Sequence, residues 1–400
     1  MYNSTVATKA NSDHQTKLMI RAACRTCLLL VALFLTLTFL ERDRHSVDAA
    51  EGKSLQREWE DALRLAKKEG EVAIYGNEEF GSVFSEFQQR YPEIKVSSVL
   101  SGAREFMQRL MTERRAGKYM RDVYINGATT GHQLYLGKAL DPIKPALLLP
   151  EVVDQVKWWQ EKHHYVDQES RYLFTFGKTA RLEIAFNTNL VNPREIRSRW
   201  DFLSPKWRGK ILISDPRASF TGTALRFLYY HPELGPEYVR RLFGEMEPTA
   251  SRDVRQMVDW LASGRFAILM LVPLTDRLGI FKAKEQGLPV GWFDSKHLSE
   301  GVSLSSATGN VGLINQAPHP NAAKVFINWL LTREGQMAYQ KAYSTGSGAD
   351  SLRIDIPKDD VHPDARRVER GGRYFLTDNP EWEDMTSILK FIDEVWKRKN

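Results

Sequence analysis

Small hydroxyl residues and glycines gather at four loops of this chain, and each loop follows a short apolar run. Three of these loops lead into helix starts, where unpaired backbone N–H groups and a partial positive charge favour an oxyanion. For any single residue in these loops, ordinary helix capping is the simpler explanation. For the residues of all four loops taken together, contact with a ligand is the alternative. The candidate positions are Gly76, Asn77, Ser101, Gly102, Thr129, Thr130, Ser219, Thr221, Gly222 and Thr223.

Three arginines near these loops, Arg104, Arg181 and Arg217, are candidate charge partners for an anion. A guanidinium is a planar fork of donors that matches carboxylate or phosphate oxygens. The alternative for each arginine alone is a solvated surface side chain.

Two adjacent aromatic pairs, Trp158-Trp159 and Trp292-Phe293, could stack on an aromatic or sugar ring. Packing in the core and near a hinge is the favoured alternative for residues of this size.

The sequence contains no HExxH, GxSxG or GxxxxGK[ST] motif, so it offers no assembled catalytic or nucleotide-binding set. Carboxylates are plentiful, and an exported enzyme that uses a carboxylate pair stays open as an alternative. We expect a binding protein that uses no cofactor and no metal.

The elements that must position these residues alternate between strand and helix. Strands separated by helices of this length predict α/β units with mostly parallel sheets. Pro320 is expected in the first turn of a long helix, and a helix is expected within Phe375–Lys399. The polar region Ser351–Gly372 is expected to be a surface excursion. The predicted strands are Glu71–Tyr75, Ile94–Leu100, Asp122–Ile125, Tyr172–Phe176, Leu182–Phe186, Lys210–Ser214, Phe266–Leu271, Val290–Phe293 and Val311–Ile314.

The N-terminal segment is typical of a secretory signal peptide. Arg21 and Arg25 precede the uncharged apolar run Cys27–Leu40, and small residues follow at Val47–Ala50. The run is shorter than the roughly 20 residues that a membrane-spanning helix needs. A signal anchor that stays in the membrane is the alternative.

Both cysteines of the chain, Cys24 and Cys27, lie in this segment, so the processed protein would form no disulfide and hold no thiolate metal site. Of the net charge of +6, the first 49 residues carry +2, which leaves +4 for the rest. The charges are interspersed without a basic run, so no nucleic-acid partner is expected.

Two stretches of the chain resemble a known family. Residues Trp200 to Ala224 read WDFLSPKWRGKILISDPRASFTGTA, and residues Ala317 to Gln336 read APHPNAAKVFINWLLTREGQ. Both are similar to signature stretches of the family 1 extracellular solute-binding proteins, in particular the branch of ferric-iron and phosphate-ester receptors. The opening EWEDALRLAKKEGEVAIYG resembles the start of that family's mature domain, so the resemblance covers about Trp59 to Tyr343.

The resemblance implies a type II periplasmic-binding-protein fold, in which two α/β lobes are joined by crossing hinge strands. The expected organisation is a signal peptide (1–49), a first part of lobe 1 with a hinge strand (50–181), lobe 2 (182–304), and a return to lobe 1 with C-terminal helices (305–400). It also implies a monomeric periplasmic receptor that captures a small polar, anionic solute. The receptor would dock on the permease of an ABC importer and, through it, on the ATPase. A solute sensor that docks on a membrane receptor fits the same features.

The ferric-iron branch implies a pair of adjacent tyrosines just after a lobe-2 strand. Here Val272 to Thr275 follows the predicted strand Phe266–Leu271 and contains no tyrosine. The pair Tyr229-Tyr230 lies on a predicted helix, where neighbours diverge by about 100°, so we expect one in the core and one at the surface. His163-His164 is expected at an exposed helix end. These observations disfavour iron, and a ferric-iron receptor is the alternative to the anion receptor.

Overall fold

A computed structural model describes residues 52–100, 103–181, 183–218, 221–272, 277–306, 308–344, 349–368, 371–382 and 384–396. Of residues 103, 104, 277, 278, 364 and 380 only the backbone is described. The chain divides into a unit of residues Met1–Glu58, of which 52–58 are helical, and a larger unit, Trp59–Asn400. The expected signal peptide, residues 1–49, lies outside the described residues.

The larger unit begins with the predicted alternation of helix and strand. Gly70 ends the first helix with a positive φ of 70°, a conformation that glycine adopts without steric cost. The elements are α1 (59–69), β1 (Glu71–Gly76), α2 (Gly81–Arg90), β2 (Lys95–Leu100), α3 (Ala103–Arg115), β3 (Val123–Asn126), α4 (Ala128–Leu136), β4 (Leu140–Asp141), α5 (Pro150–Val153), β5 (His164–Tyr165) and β6 (Leu173–Thr175).

The middle segment forms a second α/β unit with its own apolar core, in which the inner faces of two helices pack on buried strands. The crossing strand β7 (Thr179–Ala180) precedes this unit. The elements of the unit are β8 (Ile184–Asn187), β9 (Ile211–Ser214), α6 (Gly222–Tyr230), α7 (Gly235–Gly244), β10 (Thr249–Ser251), α8 (Val254–Ala262), β11 (Ile268–Met270), α9 (Arg277–Glu285) and β12 (Val290–Trp292).

The last segment returns to the first unit and then leaves it again. Pro320 opens a long buried helix, as predicted, because its fixed φ suits the first turn and its missing N–H is not needed there. The elements are β13 (Val302–Ser305), β14 (Asn310–Ile314), α10 (Pro320–Leu331), α11 (Arg333–Ala342), β15 (Tyr374–Leu376) and α12 (Thr386–Val395).

Two sheets organise the unit into two lobes joined at a hinge. Lobe 1 holds a seven-stranded sheet of order β2-β1-β3-β14-β6-β5, with β4 paired to β14. Lobe 2 holds a five-stranded sheet of order β10-β9-β11-β8-β12. A three-stranded sheet of order β15-β13-β7, here called the hinge sheet, joins them. The expected architecture of two α/β lobes joined by crossing strands is confirmed.

Both large sheets are mixed, so the expectation of mostly parallel sheets is wrong. Strands β1, β2 and β3 are parallel, but β14 runs antiparallel to β3. Likewise β8 runs antiparallel to β11, which is parallel to β9. The reason is topological: a strand that arrives from the other lobe starts at the hinge edge, where the parallel strands end.

The chain after Tyr343 serves both lobes. In Ser351–Gly372, the expected surface excursion, Leu352, Arg353 and Val361 are buried, so that expectation is wrong for much of the segment. Some of its buried polar side chains are bonded within the fold: the Ser351 hydroxyl donates to the Gln336 side-chain oxygen at 2.6 Å, and the Arg353 guanidinium pairs with Asp355 at 2.7 Å. Helix α12 instead packs Ile388 and Ile392 into the core of lobe 2. Among the described residues, no helix has the length and apolarity to span a membrane.

Candidate functional site: the hinge between the lobes

The strand ends of lobe 1 meet the hinge in a buried polar network centred on Asn310. The Asn310 side-chain amide donates to the backbone oxygens of Asn126 (3.0 Å) and Ser306 (2.6 Å). Its side-chain oxygen accepts a hydrogen bond from the Thr175 hydroxyl at 2.9 Å. Because these groups satisfy one another, they fix the ends of β3, β6 and β14 to the segment that crosses to lobe 2.

The first predicted loop, Gly76-Asn77, lies at the end of β1. Gly76 is buried, and a Cβ there would lie 3.2 Å from Ile125 and Phe84 side-chain atoms, so the tight packing favours glycine. Asn77 accepts a hydrogen bond from the Tyr343 hydroxyl at 2.7 Å. Asn77 is therefore held against the end of α11.

The loop after β3 starts α4 as predicted. The Gly127 N–H donates to the Asn126 side-chain oxygen at 2.9 Å. Thr129 is exposed on the first turn, whereas Thr130 is buried. Ser101, Gly102 and Ser219 lie outside the described residues, and the side chain of Arg104 is not described.

In the lobe-2 loop after β9, the Thr221 hydroxyl bonds to backbone oxygens of the same loop. The Thr221 hydroxyl lies 2.8 Å from the Ala218 backbone oxygen and 3.0 Å from that of Pro216, and it makes no cap bond to α6. Thr223, on the first turn of α6, lies 3.4 Å from an Arg226 nitrogen. A Cβ at Gly222 would lie 3.7 Å from the Met385 sulfur, so the C-terminal segment covers this helix start.

Arg217 faces acidic side chains. Its guanidinium forms an ion pair with Asp393 of α12 and lies 4.0 Å from Asp215. The backbone N–H of Arg217 also donates to the Asp215 carboxylate at 2.9 Å. These contacts join the loop after β9 to α12.

Arg181 follows β7 on the crossing segment and is 4% exposed. Its backbone N–H donates to the Ser303 backbone oxygen at 3.0 Å, whereas its side-chain Nε is buried with no hydrogen-bond partner. Burial lowers the pKa of the guanidinium, the Glu183 carboxylate opposes that shift, and the charge of Arg226 adds to it. Among the predicted arginines, Arg181 thus combines burial with a missing partner.

Sequence reasoning missed four charged residues at the hinge: Lys178, Glu183, Arg226 and Asp378. Lys178 and Glu183 are buried on the crossing segment beside Arg181, and charges within that otherwise apolar segment were a usable signal. Asp378 accepts hydrogen bonds from Ser306 N–H (2.9 Å) and hydroxyl (2.8 Å) and lies 3.7 Å from Lys178 Nζ. No local pattern signals Asp378, because its partners are distant in sequence.

The aromatic pairs serve packing. Trp158, Trp159, Trp292 and Phe293 are each at most 8% exposed. Trp292 packs in a lobe-2 core cluster, and Phe293 contacts Phe186 and Phe202 edge-on. These contacts favour the packing interpretation over stacking on a ligand.

The tyrosine pair and the histidine pair are both used by the fold. Tyr229 and Tyr230 are each partly buried against the C-terminal segment, where Tyr230 stacks on Trp382 at 4.7 Å, so the expectation of one core and one surface tyrosine is wrong. His164 is buried and bonded to the Trp159 backbone oxygen at 2.9 Å, so the expectation of an exposed pair is wrong as well. Among the described residues, no group of three or more His, Cys, Asp or Glu could hold a metal ion.

Two cavities lie in lobe 1, away from the hinge. One of about 690 Å³ is lined by Trp59, Tyr91, Trp329 and Met337 with a charged rim. The other, of about 450 Å³, is lined by Tyr135, Tyr172 and Glu169. Neither contains a predicted site residue, so the strand ends at the hinge remain the candidate site.

Comparison with known proteins agrees with this geometry. Residues 162–343 match the family profile described as bacterial extracellular solute-binding protein. The fold is similar to that of IdiA (FutA) from Trichodesmium in complex with iron and citrate, with a TM-score of 0.61 and 17% identity over 82% of this chain and 100% of that one.

Two further solved structures share the fold. Apo FutA2 from Synechocystis PCC6803 has a TM-score of 0.59 and 15% identity over 82% of this chain and 99% of its own. The ferric binding protein from Campylobacter jejuni has a TM-score of 0.57 and 15% identity over 82% and 100%. At such identities the likeness shows the two-lobed fold and does not assign a ligand.

Proposed function

We propose that this chain, a bacterial extracellular solute-binding protein, is the periplasmic substrate-binding component of an ABC importer and carries a small anionic solute between its lobes to the permease. The observation that carries the proposal is the common hinge. Strands β1 and β3 of lobe 1 and strands β9 and β11 of lobe 2 all end toward the crossing segments. In open α/β sheets, ligands bind beyond the carboxyl ends of the strands.

The anionic character of the solute rests on the donors at this edge. Hydroxyl groups and helix starts occur at the hinge edge of both lobes, and Arg181 is buried there without a side-chain hydrogen bond to a described residue. A buried cation whose donors lack hydrogen-bond acceptors is costly, and a bound anion would offset that cost. The full set of predicted site residues remains part of this proposal.

The periplasmic location, through a cleavable signal peptide in residues 1–49, belongs to the same proposal. A basic region, a short apolar run and a small-residue cut site support it. We also propose that the protein is not an enzyme, because the matched family and the similar structures are binding proteins.

A ferric-iron receptor is the second candidate. It is favoured by the iron-binding proteins among the structures of similar fold. Against it, the described residues offer no carboxylate–histidine cluster, and Tyr229 and Tyr230 are packed against the C-terminal segment.

A thermal-shift screen of the protein purified from the periplasm tests the proposal. The panel holds phosphate esters, phosphonates, carboxylates, sulfonates, a neutral sugar and ferric citrate. A ligand at about a hundredfold excess over its Kd stabilises the folded state by about 2.7 kcal/mol, so a true solute shifts the melting temperature clearly.

Stabilisation by one class of organic anion is the expected result. A shift with ferric citrate but not with citrate alone would favour the iron receptor, and a shift with the sugar alone would contradict the anion. Chemical turnover of a panel compound would contradict the receptor role.

A further inference from the structure

Two guanidiniums, those of Arg181 and Arg226, lie beside the hinge sheet, and neither forms an ion pair with a residue that the structure describes. Arg181 follows β7 and is bonded through its backbone to Ser303 of β13. Arg226 lies on α6, which packs against the same β13. Both side chains have a buried Nε without a hydrogen-bond partner.

The polar contacts of these two side chains are few. Arg226 makes one long contact, at 3.4 Å, to the Thr223 hydroxyl. Within the described chain, the Arg181 side chain makes no hydrogen bond, and neither guanidinium forms an ion pair. Arg226 is partly buried, whereas Arg199 and Arg353 are fully buried and have carboxylates nearby: Glu183 lies 3.7 Å from Arg199, and Asp355 lies 2.7 Å from Arg353. Arg199 resembles Arg181 and Arg226 in having a buried Nε without a hydrogen-bond partner, and differs from them in its ion pair.

The nearby carboxylates are already engaged. Glu183 accepts a hydrogen bond from the Ser303 hydroxyl at 2.6 Å and faces Arg199. Asp378 accepts both hydrogen bonds from Ser306 and faces Lys178. These two carboxylates are therefore paired with Arg199 and Lys178. Their charges favour the charged form of Arg181, but neither carboxylate forms an ion pair with Arg181 or Arg226.

We propose that Arg181 and Arg226 form a two-guanidinium subsite that holds the acid group of the transported solute. The inference rests on the proposed function and names the side chains that do the binding. Both lie beside β13, so the anion would be held at the hinge sheet itself. Burial is the main cause that lowers the pKa of Arg181, and the charge of Arg226 adds to it, so an oxyanion between the two guanidiniums would favour the charged form of both.

The required solute carries an oxyanion, because a guanidinium fork pairs with two coplanar oxygens. Carboxylate, phosphate and sulfonate groups share this chemistry. The probes that separate them are inorganic phosphate, sulfate and acetate, each added at a few millimolar in sodium chloride of matched ionic strength.

The test is calorimetric titration and thermal unfolding of the periplasmic protein and of the variants Arg181→Gln and Arg226→Gln. At least one probe is expected to bind the wild type, and each substitution is expected to weaken that probe about 10- to 100-fold. Arg226→Lys keeps the positive charge and loses the planar fork of donors, so its affinity for the probe is expected to lie between those of the wild type and Arg226→Gln. The matched control is Arg64→Gln, which removes an exposed arginine of α1 paired with Asp61.

Stability without anion gives a second readout. Because neither guanidinium forms an ion pair within the described part of the chain, each glutamine variant is expected to melt at or above the wild-type temperature in chloride. A purely structural arginine would instead lower the melting temperature when replaced. The proposal is overturned if no probe binds the wild type, or if both variants bind the probe as the control does. If a solute from the screen binds both variants as tightly as it binds the wild type, the receptor function is supported and the two-guanidinium subsite is contradicted.

Discussion

His164 is the buried side chain whose protonation the fold opposes most clearly. Its ring is stacked on Trp159, and its Nε2 lies 2.9 Å from the Trp159 backbone oxygen, so the neutral ring donates there. Burial lowers the pKa of His164 from 6.5 to about 4, and the charges of Lys178, Lys162 and Arg367 act in the same direction.

The lowered pKa makes stability depend on pH in a defined window. Between about pH 6.5 and 4 the unfolded chain binds a proton that folded His164 does not, so the free energy of unfolding falls as the pH falls. The loss from this residue is at most about 3.4 kcal/mol. His164→Gln is expected to flatten the slope of the urea midpoint against pH between 7 and 5. Burial also lowers the pKa of His163 and of His231, so both contribute to the slope that remains. An unchanged slope would contradict this.

At this scale the sequence indicated part of the site. Arg181 could be selected because it interrupts apolar residues between two predicted strands. Asp378 could not, because its contact with Ser306 spans 72 residues and depends on how β15 pairs with β13. Arg226 reads as an ordinary helix residue, and only the approach of α6 to β13 makes it a hinge residue.

At the scale of elements, the hinge depends on two glycines where the crossing segments touch. The Phe176 and Gly177 N–H groups both donate to the Gly309 backbone oxygen, at 2.8 and 3.1 Å. A Cβ on Gly309 would lie 2.3 Å from the Gly177 backbone oxygen, a distance that only a shift of the backbone can relieve.

Gly309→Ala is therefore expected to cost about 2–4 kcal/mol, because it separates paired backbone segments rather than a flexible side chain. Gly81→Ala is the matched control: this residue starts α2 with a helical φ of −55° and has open space at its Cβ. That control is expected to be neutral or to stabilise by up to about 1 kcal/mol. Equal urea midpoints for the two variants would contradict the close approach.

Helix α12 gives a second prediction at the element scale. Ile392 is fully buried in the lobe-2 core, so Ile392→Ala is expected to lower the free energy of unfolding by about 2–4 kcal/mol. Glu394 is exposed on the same helix, and Glu394→Ala is expected to stay within about 0.5 kcal/mol. Urea titrations followed by tryptophan fluorescence measure both. Similar midpoints would mean that α12 does not pack on lobe 2.

The elements themselves were more predictable than their partners. Apolar periodicity located the strands around β1, β9 and β14 and the helix that Pro320 opens. It also indicated a helix near the C-terminus. An amphipathic pattern predicts that one face of the helix is buried, but it does not identify the lobe on which that face packs. The third hinge strand, Tyr374–Leu376, is too short for a pattern of its own, and its pairing with Val302–Leu304 is a tertiary event.

For the whole molecule, the order of crossings determines how the lobes are joined. The chain leaves lobe 1 through β7, returns through β13, and its last segment adds β15 and then packs α12 on lobe 2. The lobe-1 sheet itself combines strands from both sides of lobe 2 in the sequence, because β14 pairs with β3 and β6. The C-terminal segment also supplies Asp378 to the hinge, so it is joined to both lobes by specific contacts.

The processed form of the whole chain can be recognised by its thiols. Cys24 and Cys27 are the only cysteines, and both precede the expected cut site near Ala50. If the signal is removed on export, the denatured periplasmic protein is expected to give no reaction with a thiol reagent, and a reducing agent is expected to leave its melting temperature unchanged. Two thiols per chain, recovered in the membrane fraction, would instead mean that the apolar segment stays as an anchor. Because the count is zero or two, the measurement separates the two interpretations of the N-terminal segment independently of any solute.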